Sequence, residues 1–175
     1  MYYRALHLAC TGRKRDKIEA LELLQRAATK GHPRAQYALA TWYLHGVVVQ
    51  KDYRVAARLL RQAADKGVLA ATYDLAVCYE IGAGVRKSTR KAFVLYRDAA
   101  IRGDLDSKTQ TARCFYYGIG VARSYAKAVY WYKRAARYGD PEAQRALAYA
   151  YEKGKGVHRS ARWARYWSGR INTPG

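Results

Sequence analysis

The sequence is poor in cysteine and proline, and both shortages exclude classes of protein. Its three cysteines, Cys10, Cys78 and Cys114, are an odd number without paired spacing, so no disulfide framework is predicted. This usage favours a reducing compartment, and we expect a cytoplasmic protein. With only three prolines and 26% charged residues, the composition is not that of a disordered chain.

Long hydrophobic runs are also missing. No stretch approaches the roughly 20 consecutive apolar residues that cross a bilayer, so no membrane span is predicted. The 175 residues are 50% hydrophobic, which is enough for one domain with a real core. Phenylalanine is rare, with two residues against 17 tyrosines and four tryptophans. Tyrosine and tryptophan suit half-buried positions, where the ring lies inside and the polar atom lies near water.

Acidic residues are also scarce. The chain has 13 acidic residues and 33 basic ones, which gives a formal net charge of +20. A charge of this size predicts attraction to an acidic partner, which could be a protein surface, a nucleic acid or an anionic lipid. It carries no information about the fold.

What the sequence does contain is a repeat with a period of 36 residues. Glycine, alanine, aromatic and β-branched residues each recur in columns at this spacing, which is typical of repeat architectures. The columns include Gly31, Gly67, Gly103 and Gly139; Gly46, Gly82, Gly118 and Gly154; Ala20, Ala56, Ala92, Ala128 and Ala164; Tyr43, Tyr79, Phe115 and Tyr151; and Val49, Val85, Val121 and Val157.

Each period predicts two helices. In the repeat 104–139, residues 104–117 contain no glycine or proline and are predicted as the first helix. The Gly-Ile-Gly-Val segment 118–121 then breaks this helix, because glycine tolerates the positive φ of a helix end. Ser124 occupies an N-cap position, and a second helix is predicted over about 125–138. The equivalent N-cap positions are Asp52, Ser88 and Ser160.

The segment KAVYWYKRAARYGD, residues 127–140, mixes aromatic rings with cations and could belong either to a nucleic-acid reader or to a repeat helix. Its apolar positions decide between the two. One helical face carries Ala128, Trp131, Ala135 and Ala136, which predicts a buried inner face. The cations of this segment are predicted to point outward.

Written along residues 107–139, the columns read small–x3–(L/T)A–x2–aromatic–x2–G-x-G-V–x2–S–x2–K-A–x2–W-Y–x2–A-A–x2–G. This pattern resembles the Sel1-like repeat, a relative of the tetratricopeptide repeat. The resemblance implies an all-α fold, a right-handed α-solenoid of about four and a half helix-turn-helix repeats. It also implies that the first helices line a concave face and the second helices a convex one.

The predicted organisation is one repeat domain over residues 1–175. Its parts are a clipped repeat over 1–31 and repeats over 32–67, 68–103, 104–139 and 140–175, of which the last degrades at its end. Repeat 32–67 departs from the pattern because Val48 replaces the second loop glycine.

The concave face of a solenoid is its usual binding surface, so the variable positions of the first helices are candidate partner contacts. The alternative is that several of these tyrosines only pack against the next repeat. The candidates are Tyr37, Thr41, Tyr73, Val77, Arg113, Tyr116, Arg145 and Tyr149.

Basic residues also align in three columns, before and along the second helices, and are predicted to form a basic ridge on or near the convex side. The alternative is a solvated outer face that only keeps the protein soluble. The ridge candidates are Lys51, Lys87, Arg123 and Arg159; Arg54, Arg90 and Arg162; and Arg61, Arg97 and Lys133.

Catalytic, cofactor and metal sites are not predicted. None of His7, His32, His45 and His158 has metal-ligand spacing with cysteine or another histidine, and no nucleophile–base–acid set is evident. The segment GAGVRKST, residues 82–89, lacks the glycine that a phosphate-binding loop needs before its lysine.

The function expected from the resemblance is a non-enzymatic scaffold or adaptor, including inhibitor or immunity roles. The charge adds an acidic protein partner bound at the concave face. Binding of RNA or DNA through its backbone is the alternative, and peripheral attachment to an anionic membrane is a weaker one.

Overall fold

The computed structural model describes residues 1–11 and 13–171, and within these ranges it contains helices and no strands. The helices are α1 (Tyr2–Cys10), α2 (Lys14–Thr29), α3 (Pro33–His45), α4 (Tyr53–Asp65), α5 (Leu69–Ile81), α6 (Thr89–Ile101), α7 (Leu105–Tyr117), α8 (Tyr125–Ala136), α9 (Pro141–Lys153) and α10 (Ala161–Arg170). The predicted all-α fold of two helices per repeat is therefore confirmed.

The chain divides into two compact units, Met1–Ser88 and Thr89–Gly175. In the first unit each of α1 to α4 packs against the next helix along the chain, up to α5. In the second unit α6 to α10 pack in the same order. Both units are thus built by stacking consecutive antiparallel helices, as short loops between helices require.

Alanine and large rings share the interior, as the sequence predicts. Ala128, Ala135 and Ala136 are fully buried, and Trp131 of the same helix is 9% exposed. The small side chains let neighbouring helices approach closely, while rings such as Tyr96 and Tyr132 fill the remaining space. Trp131, the ring of residues 127–140 that is predicted to lie on the inner face, is therefore structural.

The predicted N-caps of three second helices form as expected. Asp52 accepts hydrogen bonds from the backbone N–H groups of Arg54 and Val55, at 2.9 and 3.0 Å. Ser124 and Ser160 cap α8 and α10 in the same way. The fourth candidate, Ser88, directly precedes the first residue of α6. These caps satisfy donors that have no partner inside the helix.

The two loop glycines have different roles. The first loop glycine follows the last residue of the first helix and lies in the left-handed region. Its φ is between 68° and 86° at Gly46, Gly82, Gly118 and Gly154. The second has no room for a side chain. At Gly84 an added Cβ would lie 1.9 Å from the carbonyl oxygen of Tyr53, and at Gly120 it would lie 2.1 Å from that of Thr89. This loop therefore contacts the backbone at the start of the preceding second helix.

The ends and the irregular repeat also follow the sequence closely. The clipped repeat keeps both helices, with a first helix of nine residues. Val48, where a glycine was expected, adopts φ 64° and is the only non-glycine with positive φ in the part of the chain that the structure describes. The degraded end is predicted to begin after Trp167, and its residues 168–170 still belong to α10, while residues 172–175 are outside the described ranges.

Candidate partner-binding groove

A groove of about 740 Å³ opens on the second unit, between the C-terminal half of α7, the start and middle of α8, and α9. Five tyrosines, three arginines, one lysine, one alanine and one glutamate line it. They are Arg113, Tyr116, Tyr117, Arg123, Tyr125, Tyr132, Glu142, Arg145, Ala146, Tyr149 and Lys155. Concave sites of this size, with a few convergent polar groups, are typical of binding sites.

Three tyrosine rings form a packed cluster on one side of the groove. The ring of Tyr116 meets those of Tyr117 and Tyr125 edge to face, with centroids 4.8 and 5.0 Å apart. Such geometry is favourable because the positive edge of one ring faces the negative face of the other. The cluster holds the phenols in fixed positions at the surface.

Cations outnumber carboxylates around these rings. The guanidinium of Arg123 lies 5.5 Å from the centroid of Tyr125. Nε of Arg113 donates a hydrogen bond of 2.6 Å to Oε1 of Gln110. Glu142 is the one acidic residue that lines the groove. The groove therefore carries a net positive charge and attracts anionic groups.

Lys155 joins the loop after α9 to the tyrosine cluster. Its ammonium donates a hydrogen bond of 3.4 Å to the hydroxyl of Tyr116 and lies 5.3 Å from the ring centroid of Tyr149. Because the centroid of Tyr116 is 5.7 Å away, the ammonium sits at the hydroxyl edge of this ring and not over its face. Interaction with the hydroxyl of Tyr116, and with Tyr149, raises the pKa of Lys155 above its usual value.

Sequence reasoning missed Lys155. The signal that could have found it is the first variable position of the Gly-x-Gly-Val loop, which holds Val47, Ala83 and Ile119 in the other repeats. A lysine at a position that is apolar in the other repeats indicates a role that is specific to this repeat.

Tyr132 lies at the floor of the groove. It is 5% exposed, and burial raises the pKa of its phenol, with Glu142 raising it further. Its hydroxyl therefore stays neutral far above physiological pH.

The predicted contact residues are placed unequally. In the second unit, Arg113, Tyr116, Arg145 and Tyr149 come together along the groove. In the first unit, Tyr37, Thr41, Tyr73 and Val77 are half-buried. A cavity of about 450 Å³ in that unit is lined by other residues of α2, α3 and α4. Partner binding by the predicted residues remains a prediction.

The basic ridge candidates are exposed, apart from the half-buried Lys133. Their third column makes ring contacts. Nη2 of Arg61 donates a hydrogen bond of 2.6 Å to the hydroxyl of Tyr79, and the ammonium of Lys133 lies 5.5 Å from the centroid of Tyr151. Arg97 lies 5.7 Å from the centroid of Phe93. Arg61 and Lys133 thus help to pack neighbouring repeats, whereas Arg97 contacts a ring of its own helix, α6. In the first column, Arg123 lines the groove beside Tyr125.

Metal sites and membrane-spanning helices are both absent from residues 1–11 and 13–171. Within these ranges no group of three or more histidine, cysteine, aspartate or glutamate side chains is placed to hold a metal ion. No helix there combines the length and apolar character needed to cross a membrane.

Comparisons with known proteins agree with the fold. The chain is similar to a Sel1 repeat protein from Oxalobacter formigenes, with 26% identity and a TM-score of 0.90 over 98% of this chain and 69% of that one. It is also similar to c5321, described as a protective antigen of uropathogenic Escherichia coli displaying an SLR fold, with 32% identity and a TM-score of 0.84 over 86% of this chain. The match spans only 32% of c5321.

A Sel1 repeat protein from Klebsiella pneumoniae matches over 97% of this chain and 83% of its own, with 21% identity and a TM-score of 0.59. A search of curated proteins gave no match. The model of the Sel1 repeat family matches five successive segments, residues 1–32, 33–68, 69–104, 106–140 and 141–169. The chain therefore belongs to the Sel1 repeat family, whose helical repeats serve as scaffolds for protein–protein interaction.

Proposed function

We propose that this protein is a non-enzymatic adaptor that binds an acidic segment of a partner protein in the groove of its second unit. The observation that carries the proposal is the lining of the groove, with four cations and five tyrosines against one carboxylate. Tyrosine and arginine are the residues most often found at binding hot spots. An inhibitor or immunity role would be one form of this function.

Charge complementarity favours an acidic occupant over a neutral or basic one. A basic segment would meet Arg123, Arg145 and Lys155 at short range, and like charges brought together in a partly desolvated groove cost several kcal/mol. An acidic segment is attracted by the same groups and by the net charge of +20, which accelerates encounter.

The test is capture from a nuclease-treated lysate by the immobilised protein and by two charge-matched variants. Arg145→Glu reverses a charge in the groove, whereas Arg162→Glu reverses an exposed charge on α10. We expect an acidic protein to be retained by the wild type and by Arg162→Glu and to be lost by Arg145→Glu. Equal retention by both variants would contradict the proposal, as would loss of all bound material on nuclease treatment.

Binding of single-stranded nucleic acid is the second candidate function, and α8 and α10 favour it. Neither helix contains an acidic residue. Each exposes a tyrosine whose hydroxyl accepts a hydrogen bond of 2.7 Å from an arginine one turn later, in the pairs Tyr130–Arg134 and Tyr166–Arg170. Exposed rings beside cations can stack bases and contact phosphates.

A salt titration separates the two candidates. Backbone binding predicts affinity for an arbitrary short single strand that falls linearly with the logarithm of salt concentration. Substitution of both Tyr130 and Tyr166 by alanine should then weaken binding, while Arg145→Glu should affect it no more than any other charge reversal. No binding at low salt would remove this candidate.

We also propose a reducing, cytoplasmic location. The supporting observation is the odd number of cysteines, Cys10, Cys78 and Cys114, of which the last two are buried.

A further inference from the structure

Two tyrosines of the groove lie beside one ammonium. Lys155 donates to the hydroxyl of Tyr116 at 3.4 Å, and its ammonium lies 5.3 Å from the ring centroid of Tyr149. Tyr116 lies on α7, Tyr149 on α9, and Lys155 in the loop that follows α9. Three separate segments of the second unit are thus brought together at one polar point.

The direction of this hydrogen bond decides what the hydroxyl can do. An ammonium has only donors, so the phenol oxygen of Tyr116 must act as the acceptor towards Lys155. A phenol that accepts in this way keeps its own O–H hydrogen, which must point away from the ammonium. The neighbouring positive charge also polarises the hydroxyl and makes it a stronger donor. Tyr116 therefore offers an oriented O–H donor at the surface of the groove, beside the exposed side chain of Tyr149.

We propose that Tyr116, Tyr149 and Lys155 form an oxoanion-binding cluster that receives a carboxylate of the acidic partner segment. The cluster deepens the proposed function and rests on it. Arg123 and Arg145 line the same groove and supply further positive charge. A carboxylate has two oxygens, so it accepts from both hydroxyls at once, while the ammonium behind them offsets its charge.

The position of Lys155 supports a local role in recognition. The same loop position is apolar in the three other repeats that carry the loop, as Val47, Ala83 and Ile119. Stacking of repeats therefore does not require a lysine there. The ammonium lies 5.3 to 5.7 Å from the ring centroids of three tyrosines, Tyr116, Tyr125 and Tyr149.

The first experiment is an NMR titration of the full chain with tyrosine labelled at the ring carbon that bears the hydroxyl. The probes are glutarate in one arm and inorganic phosphate in the other, because both present oxoanion oxygens. We expect saturable shifts of Tyr116 and Tyr149 with glutarate, reduced at least about fivefold in apparent affinity by Lys155→Met. Lys153→Met removes the same charge from an exposed ion pair with Glu152 and should bind as the wild type does.

Two outcomes of the titration overturn the proposal. If Lys155→Met and Lys153→Met weaken glutarate binding equally, only the net charge matters. If phosphate alone shifts the two tyrosines, the cluster is a phosphate site and the carboxylate assignment is wrong.

The second experiment uses conservative variants that keep each ring and remove only the hydroxyl. Tyr116→Phe and Tyr149→Phe should each weaken binding of a hexaglutamate peptide by about three- to tenfold, whereas Tyr138→Phe, at an exposed position outside the groove, should leave it unchanged. Equal affinities for all three variants would overturn the cluster. If Arg145→Glu abolishes partner binding but Tyr116→Phe and Tyr149→Phe do not change it, the proposed cluster is wrong while the adaptor function is still supported.

Discussion

Arg61 and Tyr79 are joined by a hydrogen bond of 2.6 Å from Nη2 of the guanidinium to the phenol oxygen. The two residues belong to α4 and α5, the second helix of one repeat and the first helix of the next. The same relationship recurs as Lys133 beside Tyr151, between α8 and α9. A basic column and an aromatic column of the sequence thus meet across the joint between repeats.

This contact should contribute measurably to stability. A double-mutant cycle with Arg61→Met and Tyr79→Phe should give a coupling free energy of about 0.5–1 kcal/mol, since the arginine is exposed and water competes for its donors. Urea unfolding of the four proteins measures it. Strict additivity of the two single changes would show that the hydrogen bond is not a stabilising one.

The second loop glycine should be the least replaceable small residue of a repeat. Gly120→Ala places a Cβ 2.1 Å from the carbonyl oxygen of Thr89, so the backbone must move, and we expect a loss of about 3 kcal/mol or more. The matched control is Gly139→Ala, which has φ 87° but no atom within 4 Å. It should cost only the backbone strain of about 1–2 kcal/mol. Chemical denaturation compares the two, and equal losses would contradict the steric account.

Val48 should be a site where a single change stabilises the protein. Its φ of 64° strains a β-branched residue by about 1–2 kcal/mol, and its side chain is 41% exposed. Val48→Gly relieves the strain. The glycine also raises the conformational entropy of the unfolded chain, which reduces the net stabilisation by about 0.4–1 kcal/mol. We expect a small net rise in melting temperature. Val49→Gly, at a neighbouring position without positive φ, should lower it.

Cys78 should make stability depend on pH in the alkaline range. Burial, assisted by Asp74, raises the pKa of its thiol from 9.0 to about 11. The folded state therefore keeps the proton over a range in which the unfolded chain has released it. The free energy of unfolding should fall from about pH 9 to pH 11, by up to about 1.4 kcal/mol per pH unit.

Cys78→Ala removes this group and should flatten the profile over the same range. The contribution of the thiol is fully present below about pH 9, so the two proteins should have parallel profiles there. Fluorescence-detected urea unfolding at several pH values measures the difference. Identical slopes above pH 9 would contradict the assignment to Cys78.

Much of the fold was predictable because the repeat presents each position several times. The buried Ala135 and Ala136, the cap at Ser124 and the helix end at Gly118 all follow from columns that obey one physical requirement. The loop glycines were recognised as helix breakers. The backbone contact that requires Gly120 was not, because a sequence does not show which chain segment passes within 2.1 Å.

The candidate site was predictable only in part. Arg113, Tyr116, Arg145 and Tyr149 were found because they vary on the first helices, and they line the groove. The groove also depends on Tyr125 and Tyr132 of a second helix and on Lys155 of a loop, which sequence spacing places on other surfaces. The third basic column was predicted as part of an open ridge, whereas Arg61 and Lys133 contact aromatic rings of the next repeat.

The close approach of Gly84 to Tyr53, repeated by Gly120 with Thr89 and Gly156 with Tyr125, uses main-chain atoms on both sides. Because this contact involves main-chain atoms, it does not depend on the side chain of the contacted residue, which is a tyrosine in two cases and a threonine in one. Whole repeats can therefore be duplicated, exchanged or appended by genetic recombination without compensating changes where one repeat contacts the next. Such modular growth leaves surface positions free to diverge towards new ligands.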